Sequence, residues 1–268
     1  MILFYFSGTG NSKYIAELFC REMEIGNHAI YSVPTTPDDT TQKWCLSPII
    51  GFCYPVYFSR APRIMREFVA RNIEVLKNKK LIIFCTQMIF SGDGARSLTD
   101  IFPREYRSRL NVIYAEHFFM PNNVTDFFIL PVTNAEKQQK FAVRSERKMQ
   151  KICRDIKSGK IKKRGFNIFS RFLGLFQAVF VPSMEKKANK LLKINSDCNL
   201  CGVCVSVCPM KNLVCENEKI THKNNCTICY RCVNKCPKKS ITFIFNAKVK
   251  KQYEWLAPKP ELTKGESK

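Results

Sequence analysis

At 268 residues, with 45% hydrophobic and 25% charged side chains, the chain has the balance of a globular protein of one or two domains. That excludes disordered, collagen-like and small disulfide-framework classes, but a net charge of +22 and 14 cysteines are unusual. The charge gathers toward the rear: 14 Lys+Arg against 11 Asp+Glu in residues 1–120, 17 against 6 in 121–197, and 13 against 5 in 198–268. A basic rear half points to an acidic protein, a nucleic acid or an anionic surface, without choosing among them.

No secretory signal is read, because the apolar run 1–6 stops at Ser7-Gly8-Thr9-Gly10. The longest apolar stretch, 172–181, lies between Arg171 and Pro182 and is far short of the ~20 residues that cross a bilayer. The expected compartment is the cytoplasm, where disulfides are rare and clustered cysteines bind metal.

In chain order, apolar β-prone runs at 2–6, 29–33, 48–53, 81–85 and 112–115 predict five strands. Helical stretches at 11–22, 60–71, 94–102 and 134–158 alternate with them. Strands this uniformly apolar are buried on both faces, so the expectation is a parallel, doubly wound α/β domain over residues 1–159. Residues 160–192 form a basic and aromatic connector, running from Lys160–Arg164 through Phe166, Phe169, Phe172, Phe176 and Phe180 to Lys186, Lys187 and Lys190. These phenylalanines recur at helical spacing. Such a stripe between two domains is expected to be their mutual packing surface, the alternative being a basic amphipathic segment on a membrane. Cysteine, proline and short strands dominate residues 193–245, and 246–268 is a lysine-rich tail with an end expected to be disordered.

The segment CNLCGVCVSVCP (198–209) recurs 28 residues later as CTICYRCVNKCP (226–237), each a C-x2-C-x2-C-x3-C-P run followed by a hydrophobic pair. Three thiolates two residues apart wrap one cubane, and the fourth reaches its neighbour. The spacing assigns Cys198, Cys201, Cys204 and Cys236 to one 4Fe–4S cluster and Cys226, Cys229, Cys232 and Cys208 to a second. Zinc has no use for a third cysteine in register plus a fourth before proline. Gly202 is read as permitting close backbone approach to its cluster, and Tyr230, its counterpart, as forbidding it. Residues 193–245 resemble the bacterial two-cluster ferredoxins, which implies a small α+β domain that stores and passes single electrons.

After the first strand comes Ser7-Gly8-Thr9-Gly10-Asn11-Ser12 and then a helix, an arrangement that presents backbone N–H groups and a helix N-terminus to an anion. A Walker A loop is excluded by the missing Gly-Lys-Ser/Thr ending, and a dinucleotide fingerprint by the missing third glycine. What remains is a hydroxyl-rich loop suited to a monophosphate, or a capping turn with no ligand. This turn resembles the phosphate loop of flavodoxins, and the resemblance extends by strand–helix order over residues 1–158. It implies a sheet of order 2-1-3-4-5 with FMN at the carboxyl ends of the strands. The third-strand exit, including Tyr54, Pro55, Val56 and Tyr57, and the fourth-strand exit, including Thr86, Gln87, Gly92, Asp93 and Gly94, are similar to the loops that flank the flavin ring. Tyr57 is the preferred stacker, the alternative for Tyr54, Tyr57 and Phe90 being ordinary packing. A flavodoxin's acidic ring surroundings and second-loop tyrosine are missing here.

The remaining cysteines, 20, 45, 53, 85, 153 and 215, share no spacing and read as buried inert thiols, and His28, His117 and His222 read as isolated. Nucleic-acid binding is not expected, since no base-reading platform accompanies the charge. The whole resembles a flavodoxin–ferredoxin fusion of the kind found in anaerobic bacteria, which implies an iron–sulfur flavoprotein relaying electrons between two 4Fe–4S clusters and FMN and docking an acidic redox protein. The alternatives are a flavin-dependent reductase of a small-molecule substrate and a ferredoxin on an FMN-free scaffold.

Overall fold

The computed structural model describes residues 1–26, 29–33, 44–127, 132–243 and 247–256; the end of the tail and His28 lie outside these. The first half alternates β1 (Ile2–Tyr5), α1 (Asn11–Glu22), β2 (Ile30–Ser32), β3 (Ile49–Pro55), α2 (Arg63–Arg71), α3 (Ile73–Leu76), β4 (Lys80–Gln87), α4 (Arg96–Thr99), α5 (Arg104–Arg107), β5 (Asn111–Phe119) and α6 (Ala135–Lys157). Successive strand residues point to opposite faces, which sorts the apolar runs into two layers. Phe4, Phe52 and Ile83 pack with Met65 and Phe68 of α2, while Leu3, Ile82 and Phe84 pack with Ile15 and Phe19 of α1 and with Met149 and Ile152 of α6. All strand pairs in this sheet are parallel, and the order is β2-β1-β3-β4-β5-β6.

The sixth strand, β6 (Lys162–Lys163), extends the expected five-stranded order and is made from the basic run itself, paired with Tyr114 and Ala115. Lysines on an edge strand block further pairing. They also serve buried Glu116, whose carboxylate meets Lys162 at 2.7 Å, Lys148 at 3.1 Å and Arg164 at 3.1 Å. Burial would raise the Glu116 pKa, but Lys162 and Lys148 outweigh it and hold it down at about 2. The adjacent His117 is not isolated as expected: its Nδ1 lies 2.8 Å from Ser91 Oγ. Burial pushes His117 down to about 4, and Glu116 engages its backbone N–H rather than the ring, so the three do not form a catalytic triad.

The connector is a helical hairpin, α7 (Ile168–Ala178) and α8 (Phe180–Leu191). Of its aromatic stripe only Phe166 packs against the core, and the rest does not lie between the halves as expected, since Phe169, Phe172, Phe176 and Phe180 are 70%, 73%, 63% and 52% exposed. The face turned inward is Arg171, Gly174 and Gln177, residues three apart on one side of a helix. Arg171 reaches Asp100 at 3.1 Å, Ser59 bonds the Gln177 amide oxygen, and a Cβ on Gly174 would meet Asp93 Oδ1 at 1.7 Å. Periodicity reveals the stripe, but not which side of the helix the neighbouring domain occupies.

The rear unit comprises β7 (Lys193–Ile194), α9 (Val203–Ser206), β8 (Leu213–Glu216), β9 (Lys219–His222), α10 (Arg231–Lys235) and β10 (Ile241–Thr242), around Leu192, Leu213, Val233, Ile241 and Phe243. The sequence repeat is repeated in the backbone: Leu200 and Ile228 both have φ of 58°, Gly202 and Tyr230 have 73° and 59°, and Lys211 and Lys239 have 49° and 52°. Gly202 takes the left-handed turn that only glycine adopts freely, and a Cβ there would meet no protein atom within 4 Å. Tyr230 adopts the same turn at a strain of about 1–3 kcal/mol. The tail then returns as a strap. Tyr253 is buried, its hydroxyl 2.5 Å from Asn11 Oδ1, and its N–H donates to Asn234 at 2.7 Å. The Trp255 ring packs at a tilt against Tyr14, their centroids 4.8 Å apart.

Two outcomes follow from these contacts. His117 is disfavoured as a cation in the fold, so its contribution to stability is complete above its unfolded value of 6.5 and is lost as pH falls toward 4. Chemical denaturation across that window should show a loss of up to about 3 kcal/mol, absent in His117→Gln; Glu116 adds its own loss only between 4.5 and about 2. Gly174→Val should lower the thermal midpoint by the equivalent of about 3 kcal/mol, as an overpacked contact does, and an unchanged midpoint would show that α7 is not seated on Asp93.

Candidate functional site

β1 ends in a loop that closes on itself, with the Gly10 N–H donating to Ser7 Oγ at 3.1 Å and Gly10 at φ +105°. Asn123 donates to Thr9 Oγ1 at 3.2 Å. Because Ser7 and Thr9 accept in these bonds, each keeps its own hydroxyl proton for an anion. Ser12 Oγ lies 2.7 Å from Thr86 Oγ1, tying the first strand's exit to the fourth's. Asn11 is turned to structural work, donating to the Pro121 carbonyl at 3.0 Å and accepting from Tyr253.

A cleft of about 280 Å³ opens at the carboxyl ends of the strands. It is lined by Ser7, Gly8, Thr9, Asn11 and Ser12 of the loop, Pro55, Val56 and Tyr57 of the third exit, and Thr86 and Gln87 of the fourth. Gly10 belongs instead to an adjoining cleft with Lys13 and Arg231. Tyr54 does not reach the cleft; strand alternation turns it into the core, where its hydroxyl donates to the Gly94 carbonyl at 3.0 Å. Gly92, Asp93 and Gly94 do not line it either. Gly92 abuts Gly174, Gly94 abuts Val56, and Asp93 lies 3.4 Å from Arg60. Burial raises the Asp93 pKa, with Arg60 opposing.

The sequence reading missed Met120, Pro121, Asn122, Asn123 and Val124, which follow β5, and Met184, Ile228 and Tyr230, which come from the rear half. A fifth-strand exit is a readable position for a ligand loop. Nothing local marks Ile228 or Tyr230, since their place depends on how the halves dock. Tyr57 and Gln87 line the cleft, and Tyr57 Oη and Gln87 Oε1 are buried with no protein hydrogen-bond partner. Buried polar atoms left unpaired call for an explanation, and a polar ligand beside them is one. Together with the hydroxyl loop, they fit a phosphate-bearing flavin.

The rear half docks on this loop directly. A Cβ on Gly8 would meet the Cys229 carbonyl oxygen at 2.3 Å. Arg231 donates to the Gly8 carbonyl at 3.2 Å and to the Ser7 carbonyl at 2.5 Å. Buried Asp126 clamps both flanks, accepting from Tyr230 Oη at 3.0 Å and from the Phe243 N–H at 2.7 Å.

The cysteines fall into two neighbourhoods. Burial pushes the Cys204 thiol up to about 11, and the next contributions come from Cys198, Cys236 and Cys201. Cys232 is raised well above its ordinary value by burial first, then by Cys229, Cys226 and Cys208, with Cys204 of the other neighbourhood last. The fourth cysteine of each run therefore lies with the other run. N–H groups 28 residues apart point at sulfur, Asn212 to Cys208 at 3.2 Å and Ser240 to Cys236 at 3.4 Å. Among the described residues, no three His, Cys, Asp or Glu side chains converge on a point that would hold a single metal ion. Of the other cysteines, Cys20, Cys53, Cys85 and Cys153 are buried, whereas Cys45 is half-buried and Cys215 is exposed, against expectation.

Solved structures similar to the chain include a flavodoxin from the domain Archaea, at 15% identity over 58% of this chain and 97% of that one, with a TM-score of 0.37. A flavodoxin, WrbA-like protein from Agrobacterium tumefaciens matches at 14% identity over 59% and 98%, with a TM-score of 0.38. No curated protein matches the chain. The model of the Flavodoxin domain family matches residues 2–173, well over half of the sequence. With its parallel sheet and its cleft at the strand ends, the chain belongs to the flavodoxin domain family, a fold suited to flavin-binding redox work.

Proposed function

We propose that this chain is an electron-transfer flavoprotein with FMN in the strand-end cleft and a 4Fe–4S cluster in each cysteine neighbourhood. The observation that carries the reading is the shared wall: Ile228 and Tyr230 of the second cysteine loop line the same cleft as the phosphate loop. FMN holds one or two electrons and each cluster one, so the set converts between one- and two-electron carriers. Ser7, Thr9 and Ser12 would hold the phosphate, helped by the cationic Arg231 behind the loop. Tyr57 and Gln87 would meet the ring.

Four thiolates ringing a space, each on its own iron, suit a cubane better than convergence on one ion does. Cys208, Cys226, Cys229 and Cys232 line one small, partly open pocket. The left-handed turns at Leu200, Gly202, Ile228 and Tyr230 bend each loop around its centre. Cys201 is exposed and Cys229 is buried against Gly8, an order that runs from surface to cleft. The surface near Leu200 and Cys201 is where an acidic redox protein would dock, quickly and weakly.

Anaerobic purification followed by iron, sulfide and flavin analysis tests the reading. About eight iron, eight sulfide and one FMN per chain are expected. Eight iron without FMN, even after soaking in excess FMN, would leave only the ferredoxin-like part, and FMN without iron only the flavodoxin. Gly8→Val should open the contact with the Cys229 carbonyl, lower stability by about 2 kcal/mol and weaken FMN binding severalfold. Wild-type melting and FMN affinity in that variant would show that the two loops do not touch.

A further inference from the structure

We propose that the α7–α8 hairpin is a surface anchor that seats the protein on an anionic lipid bilayer. An amphipathic helix on a globular protein turns its apolar face inward and its polar face to water. α7 does the reverse. Its inward face is held by an ion pair, a glycine and an amide, namely Arg171 on Asp100, Gly174 on Asp93 and Gln177 on Ser59. Its outward face carries Ile168, Phe169, Phe172 and Phe176, and the junction and first turn of α8 add Val179 and Phe180. Ile89 and Phe90 are also exposed, on the segment leading to Gly92, where the inward face of α7 packs through Gly174. Soluble monomers rarely expose so many contiguous large apolar side chains, and where they do the patch marks a binding surface.

The charge around the patch selects the occupant. Residues 156–193 carry ten Lys+Arg and a single carboxylate, Glu185, which Arg66 already binds at 2.6 Å. Lys163, Lys186, Lys187 and Lys190 are exposed beside the hairpin. Phenylalanine and isoleucine on one face with lysines around it match the interfacial helix that inserts shallowly among anionic headgroups. A protein interface would also carry hydrogen bonds, about one per 100–200 Å². Here Asn167, Arg171 and Gln177 all bond within the protein, and the outward face offers bare hydrocarbon. α7 has 11 residues, and no helix among those described is long and apolar enough to cross a membrane, so the hairpin would lie on the surface rather than span it.

The test is cosedimentation of the full-length protein with phosphatidylcholine vesicles made with and without phosphatidylglycerol. Binding is expected to the phosphatidylglycerol vesicles, falling severalfold as salt is raised. Replacing Phe169, Phe172 and Phe176 with Ser should weaken it by roughly tenfold for each phenylalanine removed. Because the three are exposed, the thermal midpoint of that variant should equal that of the wild type. Wild-type protein left in the supernatant with both vesicle types would overturn the proposal, as would equal binding by the phenylalanine variant. A wild-type dimer in sedimentation velocity that the same variant dissolves, without vesicle binding, would assign the patch to a second copy instead.

Discussion

Everything at the centre of this molecule depends on one atom that is missing. Gly8 has no Cβ, and the Cys229 carbonyl oxygen occupies the place where one would stand, 2.3 Å away. That close approach lets the hydroxyl loop of the sheet domain and the second cysteine loop share a wall, and Arg231 secures it by donating to the Ser7 and Gly8 carbonyls. The Ser7 and Gly8 carbonyls are thereby engaged from behind, while the Ser7 and Thr9 hydroxyls, which accept in their own bonds, keep their protons to donate. Asp126 and the returning strap at Tyr253 hold the same junction from either side. Four chain segments distant in sequence meet within one shell of contacts.

The rear half illustrates a different constraint. Two loops that share their four cysteines, a valine and a proline take the same backbone path although their remaining side chains differ in volume. Leu200, Ile228, Tyr230, Lys211 and Lys239 all adopt left-handed conformations that their side chains resist. Gly202 does so at no cost. Strain of this kind persists only where the surrounding structure over-determines the turn.

The hairpin shows how polar and apolar roles can exchange. Asp93, fully buried, requires cationic company and finds it in Arg60 and Arg171. Pairing with Asp93 and Asp100 draws the polar side of α7 inward and leaves the phenylalanines outside. The same electrostatic demand appears at the sheet edge, where buried Glu116 recruits Lys162, Arg164 and Lys148 and so turns a basic run into a sixth strand.

The primary sequence by itself determined the elements whose cause is local. Apolar runs two-sided enough for a parallel sheet, the hydroxyl-rich turn at 7–12 and the doubled cysteine spacing were all legible, because each is written in consecutive residues. The loop residues Ser7, Thr9 and Ser12 and the third-exit residues Pro55 to Tyr57 were read from position along the chain, and they line the cleft. Tyr54 was not separable from them, since one residue of strand register decides between cleft and core, and Gly92, Asp93 and Gly94 were not, since α7, Arg60 and Val56 hold that loop away from the cleft. What only the tertiary structure decided is everything set by distant carboxylates and docking: the strand made by Lys162 and Lys163, the outward phenylalanines, and the place of Ile228 and Tyr230 in a cleft more than 100 residues away in sequence from most of its walls. A buried charge or a backbone contact acts through space, and no window of the sequence contains both partners.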